Sequence, residues 1–329
     1  PTSSVAALPF EALVAGTKGA GQPRSFADLE FVLDRYEVSY VPSAPVLLEL
    51  GSLGPARRDG KVLVLADPRY PSEGPQTPSV LGAEPADAAA LRGVARSSPE
   101  PGLFKRLEKT REEALALLDI LPTGDPPTSQ IEPGIRARRD GAIEGNSLDL
   151  YLGAEASPRR LAGDLRRYSF LHFAAHGYVD RDSPQRTGIA LSFREGGDGY
   201  FTIADALELD LDANLVVLSA CETARGETRA GEGVESLARA FMYAGARGVV
   251  ASLWQVEDEA AAGTMRSFYR GMLREGLGPA PALRHAKLSV RGSKEVRDLR
   301  GVGGVKTPVQ VERGHPFFWA PFIYVGLPR

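Results

Sequence analysis

Apolar residues fall along this chain in short, dense runs separated by polar stretches rich in Pro and Gly. Six of these runs, at 62–66, 147–152, 170–174, 215–220, 249–254 and 322–325, are short and mostly continuous. Runs of this length, bounded by turn formers, predict strands, and the Val- and Leu-rich ones read as buried on both faces, as in a parallel sheet. Helical patterns lie between them. Ala114, Leu117, Leu118 and Leu121 recur at i, i+3, i+4 and i+7, after Thr110 and Glu113 at the spacing of a capping box, and Pro122 ends the pattern. Leu237, Ala238, Phe241 and Met242 form a second face from Val234 onward, closed by Gly245. Met265, Phe268, Tyr269 and Met272 form a third, with Asp258 as its cap. A further helix is expected near 281–290. Shorter ones are expected from Pro45, at 161–168 and, capped by Thr202, at 203–209.

The remaining segments are less regular. Phe26 to Tyr36 carries a rough helical spacing behind Ser25, and Val38 to Val41 alternates like a short strand. Residues 189–193 and 199–202 read as a β pair around a turn at 195–198. The stretches 69–101 and 123–146 read as polar excursions, the first with one helical turn near 86–94, and 292–314 as a glycine-rich loop. Strands alternating with helices predict an α/β fold: a doubly wound, mostly parallel six-stranded sheet with helices on both faces. The organisation expected is an N-terminal segment, 1–60, packed on a core domain, 61–329.

Composition narrows the function classes. A chain of 329 residues, 43% hydrophobic, can bury a large core. Its 39 basic and 42 acidic residues leave a net charge of −3, which gives no reason to expect nucleic acid as a partner. No run approaches 18 apolar residues, so no membrane-spanning helix is expected, and no signal peptide is recognisable. The single cysteine excludes an intrachain disulfide and suits a reducing compartment, which points to the cytoplasm.

That cysteine, Cys221, stands at the end of the run Leu215-Val216-Val217-Leu218-Ser219-Ala220. A lone cysteine is also what a small buried hydrophobe looks like. A second buried run, Ser169 to Ala175, ends in His176-Gly177. Ligands in open parallel sheets sit at the carboxyl ends of strands. If the two strands are neighbours, an imidazole and a thiol share one crevice, the arrangement of a thiol nucleophile with its base. His172 and His176 form HxxxH, but on a strand and without a following Glu, so no metal is expected. Gly301-Val302-Gly303-Gly304 lacks the strand and helix of a phosphate loop, and no cofactor is expected. Arg136, Arg138 and Arg139 read as a solvated loop, and His285 and His315 as structural.

HFAAHG (172–177), LVVLSACETARG (215–226), GEGVESLARAFMYAGARGVVASLWQVED (231–258) and HPFFWAPFIYVG (315–326) resemble the CHAT family of caspase-like, clan CD cysteine peptidases, often found beside TPR repeats. LPFEAL (8–13), YEVSYVPSAPVL (36–47), VLVLADP (62–68) and LGAEAS (152–157) extend the resemblance in the family's order along nearly the whole chain. The resemblance implies the caspase-like sheet. It also implies a further strand before LPFEAL and an upstream TPR or sensor region. It implies a cysteine endopeptidase working through a His176–Cys221 dyad and a thioester, with the N–H groups of Gly177 and Cys221 as oxyanion donors. Either the backbone or Asp180 orients His176; Asp180 reads better as a turn residue. Glu222 is a candidate substrate contact, with a helix-entry charge as the plainer account. The segment Trp254-Gln255-Val256-Glu257-Asp258 resembles the separase LWDVTD segment, which lines the pocket for the residue before the scissile bond. Gln255 replaces an acidic residue there and Trp254 offers an apolar wall, so a neutral pocket is expected, with arginine specificity through Asp258 as the alternative. The loop 222–233 is expected to be mobile, with Arg225 and Arg229 as self-cleavage sites. Bacterial defence or programmed cell death, with a gasdermin-like protein as substrate, is the implied setting. A catalytically silent interaction module and a thiol acyl hydrolase are the other two classes.

Overall fold

The computed structural model describes residues 8–19, 21–57, 60–71, 104–120, 141–144, 147–180, 182–193, 199–219, 221–222, 230–254, 256, 258–300 and 306–328. The chain begins with β1 (Val14–Thr17), β2 (Leu29–Phe31), α1 (Val32–Arg35) and α2 (Ala44–Ser52). Then come β3 (Lys61–Ala66), α3 (Glu108–Ile120), β4 (Gly141–Glu144), β5 (Leu148–Leu152), β6 (Tyr168–Ala174) and β7 (His176–Tyr178). They are followed by β8 (Gly188–Ala190), β9 (Tyr200–Thr202), α4 (Ile203–Leu207), β10 (Leu215–Leu218), β11 (Cys221–Glu222) and α5 (Ala230–Tyr243). The last part holds β12 (Gly248–Ser252), α6 (Asp258–Leu273), α7 (Pro279–Gly292), β13 (Lys294–Arg300), β14 (Lys306–Glu312), α8 (Pro316–Trp319) and β15 (Phe322–Gly326).

All six predicted strands lie in one sheet, ordered β15-β12-β10-β6-β3-β5-β4. The five from β12 to β5 are parallel, and an antiparallel strand closes each edge. Their continuous apolar runs follow from burial on both faces. Leu63, Leu65, Leu171, Phe173, Val216 and Leu218 pack against Phe241 and Leu237 of α5 on one face. Val62, Val64, Val217 and Val250 pack against Ala114 and Leu117 of α3, Met265 and Phe268 of α6 and Leu283 of α7 on the other. The alternation along each strand assigns neighbours to opposite layers. From β3 the chain crosses to β5 on one side, and from β6 to β10 on the other. Strand order therefore reverses between β3 and β6, and the crevice of such a fold opens at their carboxyl ends.

The run that carries His176 is not one strand. β6 ends at Ala174, and β7 begins a second sheet ordered β11-β7-β8-β9, which extends from the carboxyl ends of β6 and β10. The β pair expected around 195–198 is β8 with β9, antiparallel, with Gly188 opposite Thr202. Close approach explains this glycine, since a Cβ there would lie 2.0 Å from the Phe201 carbonyl oxygen. Thr202 caps α4 as expected, accepting from the Asp205 amide at 3.2 Å. Gly245 ends α5 with a φ of 113°, open to glycine at little cost.

Several expectations are corrected. Residues 26–36 are a 3₁₀ turn, then β2, then the four-residue α1, because Leu29–Phe31 pairs with β1 and that tertiary pairing overrides the local spacing. Val38 to Val41 forms no strand beyond a single bridge from Tyr40 to Val325 on β15. No α-helix spans 161–168: a 3₁₀ turn, Pro158–Leu161, precedes Gly163 at a φ of 139°. Within 123–146, Gly141–Glu144 forms β4 along the free edge of β5; only Ala142 and Ile143 are apolar, too few to register as a run. Within 292–314, Lys294–Arg300 and Lys306–Glu312 pair as antiparallel strands, β13 with β14, where a loop was expected. Helix α5 begins at Ala230, earlier than Val234. The turn at 86–94, the arginines at 136–139, Gly301–Gly304 and residues 223–229 lie outside the described residues.

Candidate active site

His176 and Cys221 are brought together by backbone register. In the parallel ladder of β7 and β11, His176 is opposite Cys221 and Gly177 is opposite Glu222. Neighbouring strands lie about 4.8 Å apart. The two strands stand side by side because β6 and β10, which precede them, are themselves paired, Phe173 with Leu218.

The imidazole of His176 is buried, with 3% of the residue exposed. Its Nε2 lies 2.5 Å from the carbonyl oxygen of Lys105. A carbonyl only accepts, so Nε2 carries the hydrogen and Nδ1 is the basic nitrogen. The ring packs against two aromatic side chains, Tyr70 at 5.3 Å and Phe104 at 5.4 Å between centroids, which also touch each other at 5.4 Å. The Tyr70 hydroxyl accepts from the His176 amide at 3.3 Å and donates to the Ala190 carbonyl at 2.9 Å. Burial pushes the Tyr70 phenol well above its ordinary range, so it stays a neutral donor.

The orienting partner of His176 is thus a backbone carbonyl. Asp180 is a buried turn residue whose Oδ1 accepts from the amides of Asp182 at 3.1 Å and Ser183 at 2.9 Å. Sequence reasoning missed Lys105, Phe104 and Tyr70, which come from segments flanking the polar excursion after β3. It also missed Asp67, which ends β3. The only signal was a charged residue closing an apolar strand.

His172 does not join His176. It faces the opposite layer, fully buried, with Nδ1 2.9 Å from the Tyr269 hydroxyl. Its Nε2 lies 3.0 Å from Glu113 Oε1, close but out of line for a hydrogen bond. Glu113 Oε2 accepts from Ser219 at 3.2 Å. Glu113 is therefore a buried interior residue. Thr110 falls inside the first turn of α3, where its hydroxyl donates to the Leu107 carbonyl at 2.6 Å, so the expected capping box does not form. Among the described residues, no group of three or more His, Cys, Asp and Glu could hold a metal ion. His315 caps α8 through Nδ1, which accepts from the Phe317 amide at 3.0 Å, and His285 lies 3.9 Å from Glu275.

Trp254 follows β12 and packs against both layers, its indole N–H donating to the Phe317 carbonyl at 3.1 Å. Asp258 is the first residue of α6. Gln255 lies outside the described residues. A cleft of about 30 Å³ borders Gly177, lined by Tyr178, Val179, Leu218, Leu237 and Ser252, with no charged residue on its wall among the described residues. No helix among the described residues is long and apolar enough to cross a membrane.

Comparison with known proteins agrees with the motifs. Tetratricopeptide repeat protein 28 of Mus musculus and its Homo sapiens counterpart are each 34% identical to this chain over 125 residues, 38% of its length. The match spans 4% of the length of those curated relatives. The CHAT domain model matches residues 1–327. With that match across the chain, and with His176 of HFAAHG paired with Cys221 of LVVLSACETARG in the small sheet that continues from the caspase-like one, the chain belongs to the CHAT domain family.

Proposed function

We propose that this chain is a cysteine endopeptidase that cleaves a protein substrate through Cys221 and His176. The observation that carries the reading is the register of β7 on β11, which sets the two residues opposite each other. In the proposed reaction His176 Nδ1 takes the thiol proton, and the sulfur attacks the scissile carbonyl carbon. The amides of Gly177 and Cys221 donate to the oxyanion. Collapse breaks the C–N bond, the imidazolium protonates the departing amine, and a thioester remains. Water, deprotonated by His176, then attacks the thioester, which releases the acid and restores the thiol.

The cleft beside Gly177, with no charged residue on its wall among the described residues, supports a small neutral residue before the scissile bond, with Trp254, Gln255, Asp258 and Glu222 as further substrate contacts. The family resemblance and the repeat proteins among the relatives support an upstream TPR or sensor region as partner. A gasdermin-like substrate in bacterial defence, acting in the cytoplasm, is the setting proposed. The test is a peptide-library digest by the wild type, Cys221→Ala and His176→Ala. Each variant should lose at least about 10³-fold in rate with its fold intact. Cleavage by Cys221→Ala near the wild-type rate rules the reading out. Labelling of Cys221 by an acyl probe without peptide cleavage would assign the thiol to acyl hydrolysis instead.

A further inference from the structure

The bond that fixes the His176 ring comes from a backbone carbonyl, and backbone carbonyls have to be held in place by something else. Lys105 belongs to the irregular segment 104–107 that leads into α3. That segment is tied to Asp67, the residue that follows β3. Its carboxylate receives a two-point bond from Arg106, with Nε and Nη2 each at 2.7 Å, and a longer contact from Arg111 at 3.4 Å. The Asp67 amide donates to the Thr110 hydroxyl at 3.2 Å, and that hydroxyl holds the Leu107 carbonyl. The anchors therefore fall on the residues just after Lys105. Phe104, just before it, packs on the imidazole itself.

Asp67 is suited to this place. It is 2% exposed and has a φ of 50°, a conformation that Asp and Asn adopt more readily than other non-glycine residues. A buried carboxylate facing a forked guanidinium is among the strongest and most directional contacts a protein makes. Arg106 and Arg111 both face its carboxylate, and the path from it to the His176 ring runs through Arg106 and the Lys105 carbonyl.

We propose that Asp67 is a positioning residue for His176, acting through Arg106 and the carbonyl of Lys105; this rests on the peptidase reading above. When the clamp is lost, the Lys105 oxygen moves, and Nε2 loses the acceptor that makes it the protonated nitrogen. The Nδ1–H tautomer, which cannot take a thiol proton, becomes populated. A wrong tautomer at a catalytic histidine costs as much as about 10⁴-fold in the serine protease triad. Here the carbonyl is displaced rather than deleted, and a loss of about 10- to 100-fold in kcat is expected, with KM changed less than about threefold.

The test compares the whole chain with Asp67→Asn, which keeps the side-chain shape and tolerates the same φ. Long-range ¹H–¹⁵N correlation reads the tautomer of His176, one of only four histidines, without requiring any turnover. Wild type should show Nε2–H alone, and Asp67→Asn a mixture together with the fall in kcat. A wild-type tautomer in Asp67→Asn, with kcat within twofold, overturns the proposal. If the wild type cleaves nothing but its tautomer still collapses in Asp67→Asn, the positioning stands and the peptidase reading falls. If Asp67→Asn does not fold, Arg106→Ala serves under the same criteria, since its side chain is 42% exposed and its loss leaves Arg111 on Asp67.

Discussion

Replacing Glu11 by alanine should destabilise the protein by about 3–5 kcal/mol at pH 7, and the cost should depend on pH in a stated direction. Glu11 lies in LPFEAL, near the start of the described chain, and Lys287 lies on α7; each is 2% exposed and they form an ion pair. The Tyr40 hydroxyl donates to the second carboxylate oxygen at 2.5 Å. Burial holds the Lys287 ammonium below its ordinary 10.5, and Glu11 opposes that fall. Without Glu11 the ammonium is left buried and unpaired, a loss of about 3–5 kcal/mol in comparable pairs. The alternative, a neutral amine at pH 7, costs about 5 kcal/mol, because 10.5 is about 3.5 pH units away at about 1.4 kcal/mol each. The two routes agree. The unfolded variant binds the extra proton, so its stability rises as pH increases toward 10.5 and falls as pH decreases. Glu11→Leu combined with Lys287→Met should return to within about 1 kcal/mol of wild type, since an apolar pair needs no desolvated charge. Urea denaturation at pH 6, 7.5 and 9, followed by circular dichroism, measures all three. A single-variant cost below about 1 kcal/mol, or one that does not change with pH, refutes the reasoning.

Three further outcomes are expected. Glu113→Ala removes the acceptor of the buried Ser219 hydroxyl and the carboxyl beside His172, and should cost about 2–4 kcal/mol by urea denaturation, against about 1 for Glu113→Gln. Tyr70 and Tyr269 are held protonated well above the ordinary 10.0 by burial, so stability should fall above pH 10 by about 1.4 kcal/mol per pH unit for each such phenol. Tyr269→Phe should flatten that alkaline slope. EDTA at fixed ionic strength should leave peptide cleavage unchanged while iodoacetamide ends it; strong inhibition by EDTA would point to a metal centre.

What could be read from the sequence was whatever burial writes into consecutive residues. Val62 to Ala66 and Leu215 to Leu218 are covered on both faces, so every position is apolar and the strands are plain. The approach of residue 176 to residue 221 was legible for the same reason, since each follows such a run. The N-terminal β2 was not, because Leu29–Phe31 has helical spacing and becomes a strand only through pairing with Val14–Thr17. Thr110 and Glu113 match a cap by spacing, yet α3 starts two residues earlier, and tertiary partners claim both side chains. The Lys105 carbonyl left no trace at all. It is a backbone atom 71 residues before His176, and no side-chain pattern records it.

The central claim concerns one covalent bond. Wild type incubated with its best peptide from the library and quenched in acid should carry the mass of the acyl half of that peptide, located by digestion on Cys221. Cys221→Ala and His176→Ala should carry none and release no product. Undiminished cleavage by Cys221→Ala, or an adduct on any other residue, would contradict the assignment of Cys221 as nucleophile.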